Sequence, residues 1–171
     1  QAYKVNRLGI PGLDFQNEER RIYPHSNLLS HVVGFTNIDN KGMKGIERKY
    51  EEHLSTTKEP LKLSIDIRVQ QILKQELSFQ INKFMAIGGS GLMMDVNSGE
   101  ILSLLSLPDF DPNNYSKAVD NQRRDRNVTD TYELGSIFKI FNHAIALDTG
   151  VAKMTSHYDA RKAIYVGRHK I

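Results

Sequence analysis

The strongest constraint on the fold of this chain is a helical stripe that runs directly into a hairpin. Val69, Ile72, Leu73, Leu77, Ile81 and Phe84 recur at the three- and four-residue steps that align side chains on one face of a helix. The pattern predicts an amphipathic helix from about Ile67 to Phe84, its apolar side facing a core, with Asp66 as N-cap. Before it, Lys62 to Ile65 alternates polar and apolar residues as a strand would. After it, Gly91 to Val96 and Glu100 to Leu107 flank Asn97-Ser98-Gly99, the signature of an antiparallel hairpin, and Pro108 ends the second strand. Helices laid on an antiparallel sheet make an α+β fold.

The flanking segments are less regular. Gln1 to Leu54 is broken by Gly9-Ile10-Pro11-Gly12 and by Asn37-Ile38-Asp39-Asn40-Lys41-Gly42, and predicts short strands with one short helix near Ile46 to Leu54. The chain therefore divides into two regions joined near residues 55 to 65. Asp109 to Thr131 is polar and without strong period, the mark of a functional or mobile loop. Ile137, Phe138, Ile140, Phe141, Ala144, Ile145 and Leu147 predict a second helix, deeply buried on several sides and ending near Asp148-Thr149-Gly150. Ala163 to Ile171 predicts a small hairpin turning at Val166-Gly167-Arg168. There is no internal repeat.

With 171 residues, 39% of them hydrophobic, the chain can bury a real core in one domain or two small ones. A net charge of +3 with both signs interspersed argues against a nucleic-acid partner, and the Arg123-Arg124-Asp125-Arg126 cluster, lacking interleaved aromatics, reads as a solvated loop. The absence of cysteine excludes disulfides and thiolate metal sites. No stretch approaches the roughly 20 apolar residues of a membrane span, and no signal peptide opens the chain. Whatever targets or anchors the protein is expected outside these residues.

Chemistry concentrates at Glu133-Leu134-Gly135-Ser136-Ile137-Phe138-Lys139. Residues three apart on a helix share a face, so the Lys139 amine can reach the Ser136 hydroxyl and, if neutral, take its proton. Gly135 permits a tight turn, and a serine in the first turn sits at the positive end of the helix dipole, which favours a developing oxyanion. Spacing alone proves little: 12 serines and 13 lysines supply about one Ser-x-x-Lys by chance. Indeed a second copy, Ser55-Thr56-Thr57-Lys58, precedes Glu59-Pro60, where proline forbids helix continuation; it reads as a loop and not as a site. An ordinary capping serine beside a surface lysine is the bland alternative for Ser136.

Three blocks in order supply the missing context: Met94-Asp95-Val96-Asn97-Ser98-Gly99-Glu100-Ile101-Leu102, then Pro108-Asp109-Phe110-Asp111-Pro112-Asn113-Asn114, then Asn127-Val128-Thr129-Asp130-Thr131-Tyr132-Glu133 leading into Ser136. Together they resemble the start of a penicillin-binding-protein transpeptidase domain. Upstream, Arg21-Ile22-Tyr23-Pro24, His31 to Asp39, and Gly42-Met43-Lys44-Gly45-Ile46-Glu47 resemble the pedestal, or dimerisation, region of class B members, and Gly34-Phe35-Thr36-Asn37-Ile38-Asp39 is closer to the division-specific branch. The resemblance implies a partial pedestal over residues 1–58 and the beginning of a transpeptidase domain over 59–171.

What the resemblance implies is a serine D,D-transpeptidase of peptidoglycan, on the periplasmic side of the bacterial inner membrane, acting in septal cell-wall synthesis. Ser136 would be acylated by a D-Ala-D-Ala stem peptide, Lys139 would be the general base, and the Ser136 N–H would be half of the oxyanion hole. β-Lactams would mimic the donor peptide. Division proteins and a second copy of the chain are candidate partners; no cofactor and no metal is implied. Two departures stand out. Members usually carry proline before the glycine and threonine after the serine, where this chain has Leu134 and Ile137. The Ser-x-Asn and Lys-Thr-Gly motifs of the family do not occur after Ser136, so the chain is expected to be a fragment, inactive alone.

Other constellations are weaker. Asp109, Asp111 and Asn113, with Asp120 twelfth in line, imitate a calcium loop, but Pro112 intrudes and Asn114 replaces the turn glycine. His143, one turn beyond Lys139, reads as a packing or surface residue, and the six histidines show no zinc spacing. The rival functional class is a non-catalytic pedestal that binds division partners; a β-lactamase or penicillin sensor would keep the serine but fit the upstream pedestal poorly.

Overall fold

The computed structural model describes residues 2–13, 19–159, 161 and 163–170. It contains α1 (Ala2–Asn6), α2 (Ser30–Val33), β1 (Phe35–Thr36), β2 (Gly42–Lys44), α3 (Gly45–Lys49), α4 (Glu51–Thr56), α5 (Ile67–Phe84), β3 (Gly89–Met94), β4 (Ile101–Leu107), α6 (Asp120–Arg123), α7 (Arg126–Thr129), α8 (Lys139–Asp148), β5 (Tyr165–Val166) and β6 (His169–Lys170). Short 3-10 turns occupy Ser26–Leu29, Pro112–Lys117 and Gly135–Phe138. The architecture is α+β, with antiparallel two-stranded sheets, and it separates into two compact units, 1–130 and 131–171. Segments from both sides of position 58 share the first unit.

The helix and hairpin form the centre of that unit. Asp66 caps α5, accepting from the Arg68 N–H at 2.8 Å and the Val69 N–H at 3.4 Å, and hydrogen bonds from the Arg68 side chain hold its carboxyl below the ordinary carboxylate range. The helix stops at Met85, which takes a left-handed φ of 49°. Leu73, Leu77 and Ile81 lie so close over β3 that a methyl group added to Gly89 or Gly91 would approach them to 3.2 Å or 3.1 Å. These glycines therefore let the helix settle on the strand. Opposite them in register stand Leu107 and Leu105, both buried. The other edge of β3 carries no strand among the described residues.

Strand β3 begins and ends two residues earlier than the sequence pattern suggests. The reason lies in Asp95, whose carboxylate accepts from the Asn97 N–H at 2.7 Å and the Ser98 N–H at 3.0 Å, closing the turn before Val96 can pair. Lys62 to Ile65 is not a strand: it touches the start of β4 through Ser64 Oγ to the Ile101 carbonyl at 2.7 Å, with the Asp66 N–H on the Leu102 carbonyl at 2.9 Å, and no ladder follows. The helix expected near Ile46 to Leu54 is two, α3 and α4, interrupted at Tyr50.

A polar seam joins the first 30 residues to the helix and hairpin. Gln70 is fully buried; its amide donates to the Leu28 carbonyl at 3.0 Å and the Leu104 carbonyl at 2.8 Å, and its oxygen accepts from Ser103 Oγ at 2.7 Å and the Leu104 N–H at 3.0 Å. One turn along, Lys74 pairs with Asp109 at 2.5 Å, and Asn27 donates to the same carboxylate at 3.2 Å. Beside the seam, Tyr23, Phe35, Phe110 and Ala118 form a small apolar core, with Phe35 stacked on Tyr115 at 4.6 Å and set edge-on to Phe110 at 5.8 Å.

The polar stretch from Asp109 to Thr131 is ordered and not a free loop. Asp111 and Asp125 act as N-caps, accepting from the Asn113 and Asn127 N–H groups at 3.0 Å, and start the 3-10 turn and α7. Of the acidic side chains that imitate a calcium loop, Asp109 is committed to Lys74 and Asn27 and Asp111 to its cap, while Asp120 is exposed.

The second unit is built on the 3-10 turn Gly135–Phe138, α8 and the hairpin β5–β6, which turns at Gly167 with φ of 62°. Here the expected deep burial fails. Ile137, Phe138, Ile140, Phe141 and Ile145 are each more than half exposed. The physical reason is size: a segment of about 40 residues cannot cover a helix apolar on several sides, and β5 and β6 have two residues each.

Candidate active site

Ser136 is the second residue of the 3-10 turn and Lys139 the first residue of α8. The turn is launched by Gly135 at φ of 56°, where an added methyl group would meet nothing within 4 Å. Glycine is needed there for the hand of the backbone and not for space. Leu134, standing where proline is usual in the family, takes φ of −68°, the angle a proline ring would impose. The Lys139 N–H donates to the Ser136 carbonyl, the three-residue hydrogen bond of a 3-10 turn. At that repeat side chains i and i+3 eclipse, so Ser136 and Lys139 project from one side of the turn, and both are exposed.

His143 does not join them. Its Nδ1–H donates to the Lys139 carbonyl at 2.7 Å, folding the ring back along its own helix. Among the described residues no group of three or more His, Asp or Glu side chains is arranged to hold a metal.

Sequence reasoning missed one feature a few residues ahead of Ser136 in the chain. The arginine cluster read as solvated is partly interior: Arg126 is 9% exposed and its guanidinium binds Asp130, while Arg124 pairs with the other oxygen of the same carboxylate. Each guanidinium nitrogen of Arg126 finds a partner distant in sequence or across a turn, which no local periodicity reveals. The only available signal was the spacing of arginine and aspartate four apart.

Residues 89–171 match the family model of the penicillin-binding protein transpeptidase domain. Over 98% of its length the chain is 41% identical to the probable peptidoglycan D,D-transpeptidase FtsI of Caulobacter vibrioides, of which it covers 29%. The chain belongs to the class B penicillin-binding proteins. To the peptidoglycan D,D-transpeptidase FtsI of Escherichia coli it is 32% identical, with 89% of this chain and 30% of that protein covered. Among solved structures, the apo form of penicillin-binding protein 3 from Mycobacterium tuberculosis superposes with a TM-score of 0.75 over 89% of this chain and 36% of that one; at 23% identity the likeness speaks to fold alone. The chain thus spans about 30% of the length of the curated relatives it matches. No helix among the described residues is long and apolar enough to cross a membrane.

Proposed function

We propose that this chain is a segment of a septal peptidoglycan D,D-transpeptidase in which Ser136 forms the acyl-enzyme and Lys139 is the general base. The observation that carries the reading is the turn itself: a left-handed glycine, then a serine, then a lysine at the eclipsed position, inside a transpeptidase-family segment. Ser136 Oγ attacks the carbonyl carbon of the penultimate D-Ala as Lys139 Nζ takes the hydroxyl proton. The tetrahedral intermediate collapses with cleavage of the C–N bond, and the proton on Lys139 passes to the departing D-Ala amine. An amine of a neighbouring stem then attacks the ester carbonyl, forming the cross-link and returning the proton to Ser136.

A base of this kind works only when unprotonated, which requires a dry and electrostatically shaped pocket. In the chain as described Ser136 and Lys139 stand in water, and this supports the expectation that the 171 residues alone are inactive. The reading places the protein on the periplasmic face of the inner membrane, with stem peptides and β-lactams as ligands and division proteins or a second copy as partners.

The deciding experiment uses a fluorescent penicillin. The whole protein is expected to label stoichiometrically at Ser136, the Ser136→Ala variant not at all, and the isolated 171 residues at least about a thousandfold more slowly. Labelling that persists in the alanine variant would overturn the reading.

A further inference from the structure

The segment that carries Ser136 leaves the first compact unit at Asp130, six residues ahead of the serine. That exit is held by side chains. Asp130 Oδ2 pairs with Arg126 Nη1 at 3.1 Å, Oδ1 pairs with Arg124 Nε, and the Asp130 and Arg126 side chains are only 9% and 10% exposed. Thr129 Oγ1 adds a hydrogen bond to Oδ1 at 3.2 Å.

The arginine is in turn fixed to the hairpin. Arg126 Nε donates to the Leu107 carbonyl at 3.1 Å and Nη2 to Asn121 Oδ1 at 2.7 Å. Its backbone N–H donates to Ser106 Oγ at 3.0 Å, and that buried hydroxyl donates to the Arg124 carbonyl at 3.2 Å. Asn127 reaches the Leu105 carbonyl at 2.9 Å. Gly88 makes room for the guanidinium, since a methyl group there would lie 2.6 Å from Arg126 Nε. Two consecutive residues at the end of β4, Ser106 and Leu107, therefore orient one arginine, and that arginine orients Asp130.

Withdrawing such a pair from water seldom adds net stability, because desolvation offsets the attraction. Its return is direction. Two oxygens held by two different arginines fix both the position and the rotation of the Asp130 side chain, the last residue of the first unit before the backbone runs on to Gly135. Between them, Thr131 to Leu134 form neither helix nor strand. We propose that Arg124, Asp130 and Arg126 are a positioning clamp that sets how the nucleophile-bearing turn is presented for acylation. The inference rests on the reading of Ser136 as the acylated serine.

The test is stopped-flow acylation of the whole protein by a fluorescent penicillin, separating non-covalent affinity from the acylation rate constant and counting only molecules that label. Asp130→Asn keeps the shape but turns one acceptor into a donor facing an arginine; acylation is expected to slow about tenfold or more with affinity within about twofold. Arg124→Gln guards against misfolding, since that side chain is half exposed, and is expected to slow acylation about threefold, with Arg124→Lys restoring part of the loss. A purely structural clamp would lower the melting temperature and the labelled fraction while leaving the rate constant of the labelled molecules unchanged. Wild-type rate constants in both Asp130→Asn and Arg124→Gln overturn the clamp. If Ser136→Ala still labels, the acyl-enzyme reading fails instead, so the two failures are distinct.

Discussion

In the first unit a glutamine is sealed from water with both ends of its amide paired, while in the second phenylalanines and isoleucines stand in solvent. The contrast shows where folding energy resides in this chain. Residues 1–130 close a core of their own, small but ringed by hydrogen bonds that link distant segments. Residues 131–171 hold the proposed Ser136–Lys139 pair at the entry to a helix whose apolar surface their own short strands do not cover. The hydrogen-bonded core and the proposed nucleophile occupy different compact units, and the proposed clamp at Asp130 stands where the first one ends.

The widest gap between the units should appear in a pair of substitutions. Gln70→Ala leaves Ser103 Oγ, the Leu104 amide and two carbonyls without their partner in a dry site, and is expected to cost about 3 kcal/mol. Ile145→Ala removes a side chain that is 60% exposed and should change stability by less than about 0.5 kcal/mol in this chain. Urea unfolding of the two variants checks both values, and equal losses would erase the distinction.

A smaller effect concerns acid. His31 lies in the first unit with its Nε2–H on the Gln122 carbonyl at 2.8 Å and its ring edge-on to Phe110 at 5.5 Å. Burial, chiefly, lowers its pKa from the ordinary 6.5, aided by Lys44 and opposed by the Gln122 hydrogen bond, Asp125 and Asp109. The folded state thus binds the proton less readily than the unfolded chain. Its contribution is full above the unfolded value and is lost as pH falls through the lowered folded value, no more steeply than about 1.4 kcal/mol per pH unit. Melting curves between pH 7 and 5 should fall less in His31→Gln than in the unaltered chain; parallel curves would remove His31 from the account.

The smallest change is expected at Leu134. Because its φ already suits a proline ring, Leu134→Pro should preserve the turn and stabilise it by about 0.5 kcal/mol through the unfolded state. Circular dichroism melting of the chain measures it, and a loss of helix would show that the 134 N–H is needed.

Much of this fold is visible in the sequence where it is local. The span of helix α5 follows from the stripe between Val69 and Phe84 and the cap at Asp66, though Ile72 and Phe84 of that stripe are exposed and do not face the core, and the tail hairpin needs only Gly167. What escapes is settled by partners far along the chain. Arg126 looks solvated until Leu107, Asn121 and Asp130 surround it, and Asp109 to Thr131 looks like a loop until aspartate caps fold it into short turns. The site divides the same way. The proposal of Ser136 and Lys139 rests on spacing and family context, whereas the proposed Asp130 clamp depends on a tertiary contact that no window of residues contains.

One feature of the hairpin bears on how such a chain behaves at high concentration. Along Gly89–Met94, β3 offers on its outer side a row of amide hydrogens and carbonyls with no neighbouring strand among the described residues. A row of that kind is a template: it fits any extended segment of suitable register, native or foreign. Crowding therefore threatens this chain less by loosening its interior than by lengthening its sheet, one molecule docking its border on the next.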